Sequence, residues 1–134
     1  MILNETLILP LCGATAIAVS LTTAFPNAVT LDLSSAQNFV LTVTEKVDQF
    51  TITNIPSDAS AFTIKITQDS TGGYEVGLNT FRTGAGTSIP VHFPGGNVIP
   101  GITTTAERSD IYTYKTFDGG DNFFGVVGGQ NFLA

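Results

Sequence analysis

Carboxylates are the most numerous ionisable groups in this sequence, and two of them, Asp118 and Asp121, lie close together along the chain. Two carboxylates facing each other across roughly 5 to 9.5 Å can hydrolyse a glycosidic bond, and Ca²⁺ binds where several oxygens converge. The stretch 118–122 lacks, however, the regular acidic spacing and the acidic closing residue of an EF-hand loop. Aspartate with glycines is typical of tight turns. We therefore predict a hairpin turn here rather than a catalytic or metal-binding pair.

The sequence contains a single histidine, His92, and a single cysteine, Cys12. A nucleophilic triad would have to use His92, but no Gly-x-Ser-x-Gly elbow accompanies it. One thiol and one imidazole also cannot form a thiolate cluster, a His-rich metal site or an intrachain disulfide. Because Val91 and Phe93 flank His92, we expect the imidazole to point away from them, towards the surface. We predict no catalytic residue, no cofactor and no metal.

The composition and charge of the chain indicate how many domains it forms and exclude some classes of partner. Its 134 residues carry a net charge of −6, with 12% charged and 43% hydrophobic residues. This composition and length favour one folded domain, residues 1–134. Five basic residues are too few to neutralise a run of phosphates, so we predict no nucleic-acid partner. The uncharged run 7–25 follows no basic segment and is interrupted by Thr, Ser and Pro, so we predict neither a signal peptide nor a membrane span.

Hydrophobic residues recur at every second position along much of the chain, which is the period of strands that bury one face. The predicted strands are 15–23, 29–33, 39–43, 50–52, 62–66, 74–78, 91–93, 102–104, 111–117 and 123–127. Turn-forming groups separate them, and we predict hairpins at 69–73 and 118–122 and a mainly irregular stretch over 83–105, which contains three prolines. We predict an all-β, antiparallel sandwich or barrel without an internal repeat.

Residues 1–12 precede the first predicted strand, and we predict an extended arm there. Two roles remain open for this arm. It docks on a neighbouring subunit, or it forms an ordinary first edge strand of the same sandwich.

Phenylalanine accounts for ten of the aromatic residues, and most of them should lie in the core. We expect inward side chains at Phe39, Phe50, Phe62 and Phe124. The residues that we predict to contact another subunit or the particle to which the protein belongs are Leu7, Leu9, Leu11, Phe25, Phe93 and Phe132. For each of the phenylalanines among them, packing against the protein's own core is the alternative.

Five stretches of the second half share a pattern of glycine-rich turns in a fixed order. They are Thr67–Gly73, Phe93–Gly96, Thr103–Ala106 with Asp110–Tyr112, Phe117–Gly120 and Phe124–Phe132. From Phe62 onward, over a little more than half of the chain, this order resembles a β domain found in structural proteins of tailed bacteriophages. Tail-fibre, head-fibre and other virion appendage proteins contain that domain. Many such domains carry a tryptophan near the positions of Phe93 and Phe123, and this chain has none.

The resemblance implies a jelly-roll-like sandwich that works by assembly, commonly as a trimer, without active-site residues. We therefore expect a virion structural protein, a capsid decoration or cement protein or a short head fibre. Its expected partners are further copies of itself, in a homotrimer, and the major capsid protein or other virion proteins, with no nucleic acid and no membrane. One alternative is a tail or baseplate adhesin that binds host glycans through residues 83–105. Another is a small carbohydrate-active enzyme that uses Asp118 and Asp121.

Deleting residues 1–11 tests the role of the predicted arm. If the arm docks on a neighbour, the shortened protein should fold and remain soluble but no longer join the particle. Circular dichroism measures the folding, and analysis of purified particles measures the incorporation. An unfolded product would instead identify the segment as an integral strand of the fold.

Overall fold

The computed structural model describes residues 14–17 and 27–133, and these residues form two β-sheets that pack together. The elements are β1 (Ala14–Ile17), β2 (Ala28–Asp32), β3 (Asn38–Val43), β4 (Gln49–Thr53), β5 (Ser60–Gln68), β6 (Phe81–Thr83), β7 (Ser88–Ile89), β8 (Val91–His92), α1 (Pro94–Asn97), β9 (Arg108–Thr116) and β10 (Phe123–Leu133). The segment α1 is a single turn in which Gly95 and Gly96 have left-handed φ angles of 75° and 78°. The predicted all-β class is confirmed.

Successive strands from β1 to β6 alternate between the two sheets. The first sheet has the order β1-β3-β5-β9-β10-β8 and the second has the order β2-β4-β6-β7. The pairs β1–β3, β3–β5, β2–β4 and β4–β6 are all parallel. The chain therefore winds as a coil that adds one strand to each sheet in every turn. Asn38 pairs with Ala14 in one direction and with Thr63 in the other, so these three residues hold equivalent positions in successive turns.

The antiparallel pairing predicted from the sequence is wrong for this coil. It is correct for the other half of the first sheet, where β5 pairs antiparallel with β9 and β9 with β10. Alternation of buried and exposed residues has the same period in both kinds of strand, so it does not reveal the partner. A jelly roll is built from antiparallel strands, so this description does not fit the coil. The coil is also a structural repeat that the sequence pattern did not indicate.

Polar side chains join successive turns of the coil at its corners. Asn27, with φ of 56°, precedes β2, and Asn54, with φ of 53°, follows β4; asparagine adopts this left-handed conformation more readily than most residues. The Asn27 side chain donates to Asp48 Oδ2 over 3.1 Å, and the Asn54 side chain donates to Asp32 Oδ1 over 2.8 Å. These bonds join the two ends of β2 to the two ends of its parallel partner β4.

Aromatic rings fill the space between the two sheets. Phe62 of β5 stacks on Tyr114 of β9 with 5.3 Å between ring centres, and Phe81 of β6 lies 4.8 Å from Tyr114. The Tyr114 hydroxyl donates to the Leu78 carbonyl over 2.7 Å, so its one polar group is satisfied in the core. The core therefore joins the coil to the β9–β10 hairpin. Phe39, Phe50 and Phe62 are buried as predicted.

Strand β10 has the opposite phase to the predicted one. Phe123 is buried and Phe124 is 47% exposed, so the prediction of an inward Phe124 is wrong. Gly125 explains the difference: a Cβ at this position would lie 2.7 Å from the Phe93 ring and 2.9 Å from the Tyr114 ring. The next inward position after Phe123 therefore requires glycine. Glycine is not hydrophobic, so the alternation of hydrophobic residues does not show that this position faces the core.

The predicted hairpin at 69–73 and the predicted strands at 74–78 and 102–104 do not form. Asp69 Oδ1 accepts hydrogen bonds from the Thr71 and Gly72 amides, so the residues do turn. The chain then passes to Tyr74, whose backbone bonds go to the buried Gln68 side chain, at 2.9 and 3.1 Å, and not to a strand. The same amide donates to the Thr103 carbonyl over 3.1 Å. The Gln68 side chain thus joins the two irregular stretches, and the first of them also forms an isolated parallel bridge between Val76 and Val47.

Gly125→Ala should destabilise the protein by about 2 kcal/mol, because the added methyl group overpacks a core contact between two rings. Urea unfolding followed by circular dichroism measures the change. Gly101→Ala is the matched control, since a Cβ at Gly101 has no atom within 4 Å, and its effect should be within about 0.5 kcal/mol. Equal stability of the two variants would contradict the role assigned to Gly125.

Candidate functional site

An exposed apolar surface lies on the outer face of the first sheet, on the β9–β10 hairpin. Four side chains form it: Phe117, Phe124, Val126 and Phe132, which are 63%, 47%, 48% and 46% exposed. We call these four residues the outer strip. Soluble proteins scatter single hydrophobic residues over their surfaces, but a group on one face commonly marks a contact with another molecule.

The register between β9 and β10 directs this strip outward. Phe124 pairs with Lys115 and Val126 pairs with Thr113, whereas Gly125 between them pairs with the buried Tyr114. Neighbouring residues of a strand point to opposite faces. The burial of Tyr114 therefore fixes Phe124 and Val126 on the solvent side.

Three rings stand in a row at the turn end of the strip. Phe124 lies 5.9 Å from Phe117 and 5.3 Å from His92, measured between ring centres. His92 Nε2 lies 3.0 Å from Asn122 Oδ1, and Lys115 Nζ lies 5.0 Å from the centre of the Phe117 ring, a cation–π contact. These contacts give the surface a defined shape. His92 is exposed, as predicted.

The far end of the strip lies on an irregular part of β10. The register shifts between Val127 and Gly129 and again between Gly129 and Phe132, and Asn131 has a φ of 63°. The ring of Phe132 lies directly over Gly129, where a Cβ would occupy the same space. Bulges bend a strand away from a regular pairing geometry. Contacts at this end are therefore better made by side chains of the face than by the backbone of the edge.

Carboxylates flank the strip but do not enter it. Strand β10 contains no charged residue, and Asp118 and Asp121 lie in the turn before it, as predicted. Asp118 Oδ1 accepts from the Thr116 hydroxyl and the Asn122 amide, both over 3.0 Å, and Oδ2 accepts from Asn122 Nδ2 over 3.0 Å. The bonds from Asn122 lower the pKa of Asp118.

Within the described residues, no group of three or more His, Cys, Asp or Glu side chains could hold a metal ion.

A buried carboxylate holds the C-terminal part of β10 in place. Asp110 is 1% exposed; its Oδ2 accepts from the Thr103 amide and the Tyr112 hydroxyl, each over 2.8 Å, and its Oδ1 accepts from the Asn131 amide over 2.9 Å. Gln130 Nε2 donates to the Tyr112 hydroxyl over 3.0 Å. Burial acts to raise the pKa of Asp110, but these hydrogen bonds outweigh it and the pKa lies below the usual value. Burial, with the bond to Asp110, raises the pKa of Tyr112.

The structure separates the contact residues predicted from the sequence. Leu7, Leu9, Leu11 and Phe25 lie outside the described residues. Phe93 is 5% exposed and packs in its own core, 5.9 Å from Tyr114, because Gly125 leaves room for its ring. This corrects its assignment as a contact residue and supports the alternative of core packing.

Phe132 is exposed on the outer strip, where its side chain is accessible to a neighbouring molecule. The predicted contact set did not include Phe117, Phe124 and Val126, which are exposed on the same strip. One signal could have revealed the first two: they flank the predicted hairpin turn 118–122, and residues on either side of a hairpin turn come together across the strands.

Comparison of this chain with protein families, with curated proteins and with solved structures finds no match. No helix in the described part of the chain is long and apolar enough to span a membrane. The function has to be inferred from the residues themselves and from their geometry.

Asp110→Asn should lower the free energy of unfolding at pH 7 by about 2 kcal/mol, because an amide NH₂ group replaces one of the two carboxylate oxygens that accept from Thr103, Tyr112 and Asn131. The folded state lowers the pKa of Asp110, so its contribution is complete above roughly pH 4 and disappears as the pH falls through the folded-state pKa. The difference between variant and wild type should shrink over the same range. Urea unfolding at a series of pH values measures it.

Asp58→Asn, a change at an exposed residue, is the control for Asp110→Asn and should leave stability nearly unchanged at both ends of the pH range. An Asp110→Asn protein as stable at pH 7 as the wild type would contradict the structural role of this carboxylate.

Proposed function

We propose that this protein is a non-enzymatic structural component of a tailed-bacteriophage virion. In its specific form it is a capsid decoration or cement protein, or a short head fibre, that assembles on the particle as an oligomer, with a trimer as the expected order. The observation that carries the proposal is the outer strip, an ordered and uncharged apolar surface on a chain of net charge −6. Covering such a surface with protein is favourable because it removes apolar area from water.

The position of the outer strip in the sequence links it to the resemblance. Phe117 lies in the matching stretch Phe117–Gly120, and Phe124, Val126 and Phe132 lie in the stretch Phe124–Phe132. The part of the chain that resembles phage structural proteins therefore contributes the exposed apolar surface. This coincidence favours a role in assembly on a virion over a role unrelated to the resemblance.

The chemistry of the surface also suits a virion component. A contact made by phenylalanine and valine side chains changes little with salt, since it contains few charges to be screened. Carboxylates of the hairpin accept hydrogen bonds within their own turn or in the core, as Asp118 and Asp110 do. A particle that persists outside a cell meets varied salt and pH, and a contact of this kind tolerates both.

A tail or baseplate adhesin that binds host glycans is the second candidate. One observation favours it: His92, which belongs to the irregular stretch 83–105, lies 5.3 Å from Phe124, so this stretch and the outer strip form a continuous surface. Exposed rings beside polar groups such as Asn122 could receive a sugar. For a carbohydrate-active enzyme no comparable observation exists, because the hydrogen bonds of Asp118 within its turn favour a turn-forming role.

Mass spectrometry and immunogold electron microscopy of purified virions test the proposal. We expect the protein in the particles, in many copies, with label on the capsid. Its absence from purified virions would overturn the proposal, and label confined to the tail would favour the adhesin. Turnover of host polysaccharide that is lost in Asp118→Asn or Asp121→Asn would establish the enzyme instead.

A glycan array separates the adhesin from the capsid component. The adhesin predicts binding that disappears when residues 83–105 are replaced by an unrelated loop of equal length. A capsid decoration protein predicts no glycan binding by either form. Circular dichroism of the replaced form is the control for folding.

A further inference from the structure

We propose that the outer strip is covered by a second copy of this chain, so that identical hairpins pack face to face in the oligomer. This inference rests on the proposed function for its biological setting, and it adds to it the surface and the partner. It makes Phe117 and Phe124 the contact residues at the turn end of the hairpin, with Val126 and Phe132 extending the contact along β10.

The area of the strip is the first observation in favour. At exposures of 63%, 47%, 48% and 46%, three phenylalanines and one valine present on the order of 400 Å² of apolar surface, taking about 200 Å² for a whole aromatic side chain. A stable interface buries about 800 Å² on each partner, somewhat more than half of it apolar. The strip thus supplies about the apolar part of one interface of standard size.

Charge favours a copy of the chain over a basic partner. A molecule of net charge −6 repels its own copies unless they meet through a face that carries little charge. Strand β10 has no charged residue, and the ammonium group of Lys115 lies over the Phe117 ring. A different, basic partner would be expected to use the acidic groups of the surface, and these lie outside the strip. Contacts between identical subunits are also the more apolar class.

Shape favours packing of the faces over pairing of the edges. Among the described residues, β8 pairs only with Phe123 and Phe124 of β10, so much of β10 has β9 as its sole neighbour. The two register shifts in this part of β10 interrupt the regular row of backbone groups that strand addition requires. The rings at the turn end of the outer strip, by contrast, are held in place by contacts with one another. They present a fixed surface against which a second copy can pack.

Val126→Lys is the direct test, because it places a charge at the centre of the strip without changing an inward residue. Native mass spectrometry and sedimentation of the purified full chain, from about 1 μM to 1 mM, report the association. We expect the wild type to form a dimer or trimer of the 14.0 kDa chain. The variant should remain a monomer, with a dissociation constant raised about 100-fold or more, because an unpaired ammonium group would be buried.

Val98→Lys is the matched control, since Val98 is an exposed valine, at 66%, outside the strip; it should associate like the wild type. Phe117→Ser, at a residue outside the strands, gives a second test should Val126→Lys fail to fold. Hydrogen exchange of the wild type provides a third, with protection of residues 117–132 that rises with concentration. A monomeric wild type at every concentration, or a Val126→Lys protein that associates normally, would overturn the inference.

These results separate the inference from the proposed function. A protein that is monomeric in solution but present in virions would refute the self-association and leave the virion role standing. A protein that associates through the strip but is absent from virions would refute the virion role and leave the self-association standing. Both readouts can be obtained with the same full-length chain.

Discussion

The rest of this structure depends on the packing of Tyr114 between the two sheets. Its ring stacks on Phe62, lies 4.8 Å from Phe81 and meets Phe93 over Gly125. The first of these contacts ties β9 to the coil, the second reaches the other sheet, and the third fixes the phase of β10. Because residues of a strand alternate between faces, an inward Tyr114 requires that the residues paired next to it point outward. The exposed hairpin surface is therefore a consequence of the core and not a separate feature.

Much of the secondary structure could be predicted from the sequence, because alternation depends on each strand's own buried face. The strands at 28–32, 38–43, 49–53 and 60–68 lie where the hydrophobic period places them. Their pairing could not be predicted in this way. Each turn of the coil returns to the same sheet beside the strand formed one turn earlier. The contacts specific to this course include the bonds of Asn27 and Asn54 to a neighbouring turn. Bonds between residues so far apart in sequence leave little local signal.

The exposed apolar surface was predictable only in part, for a related reason. Phe132 is exposed, whereas Phe93, expected at a contact, is buried and Phe124, expected in the core, is exposed. Hydrophobicity alone does not distinguish Phe123 from Phe124; the distinction comes from the space that Gly125 leaves for two rings. Asp110 is the opposite case, a polar residue at an inward position of β9. An acid in phase with the buried Tyr112 and Tyr114 is a recognisable anomaly in a strand, and its explanation is the ring of donors that loop and β10 bring to it.

Acidic residues at the corners of the coil and in the hairpin accept hydrogen bonds from residues near them, and this determines which charges the surface can offer to another molecule. Asp32, Asp69 and Asp118 accept hydrogen bonds from their own turns, and Asp110 is satisfied in the interior. None of these four carboxylates is required to meet a cation on another molecule. The hairpin therefore combines well-satisfied carboxylates at its turn with an outer face that carries no acidic side chain, although the chain as a whole is acidic. The charged residue of that face, Lys115, lies over the Phe117 ring. A face of that kind can lie against an identical one without bringing carboxylates together, whereas a contact that used the turns could not.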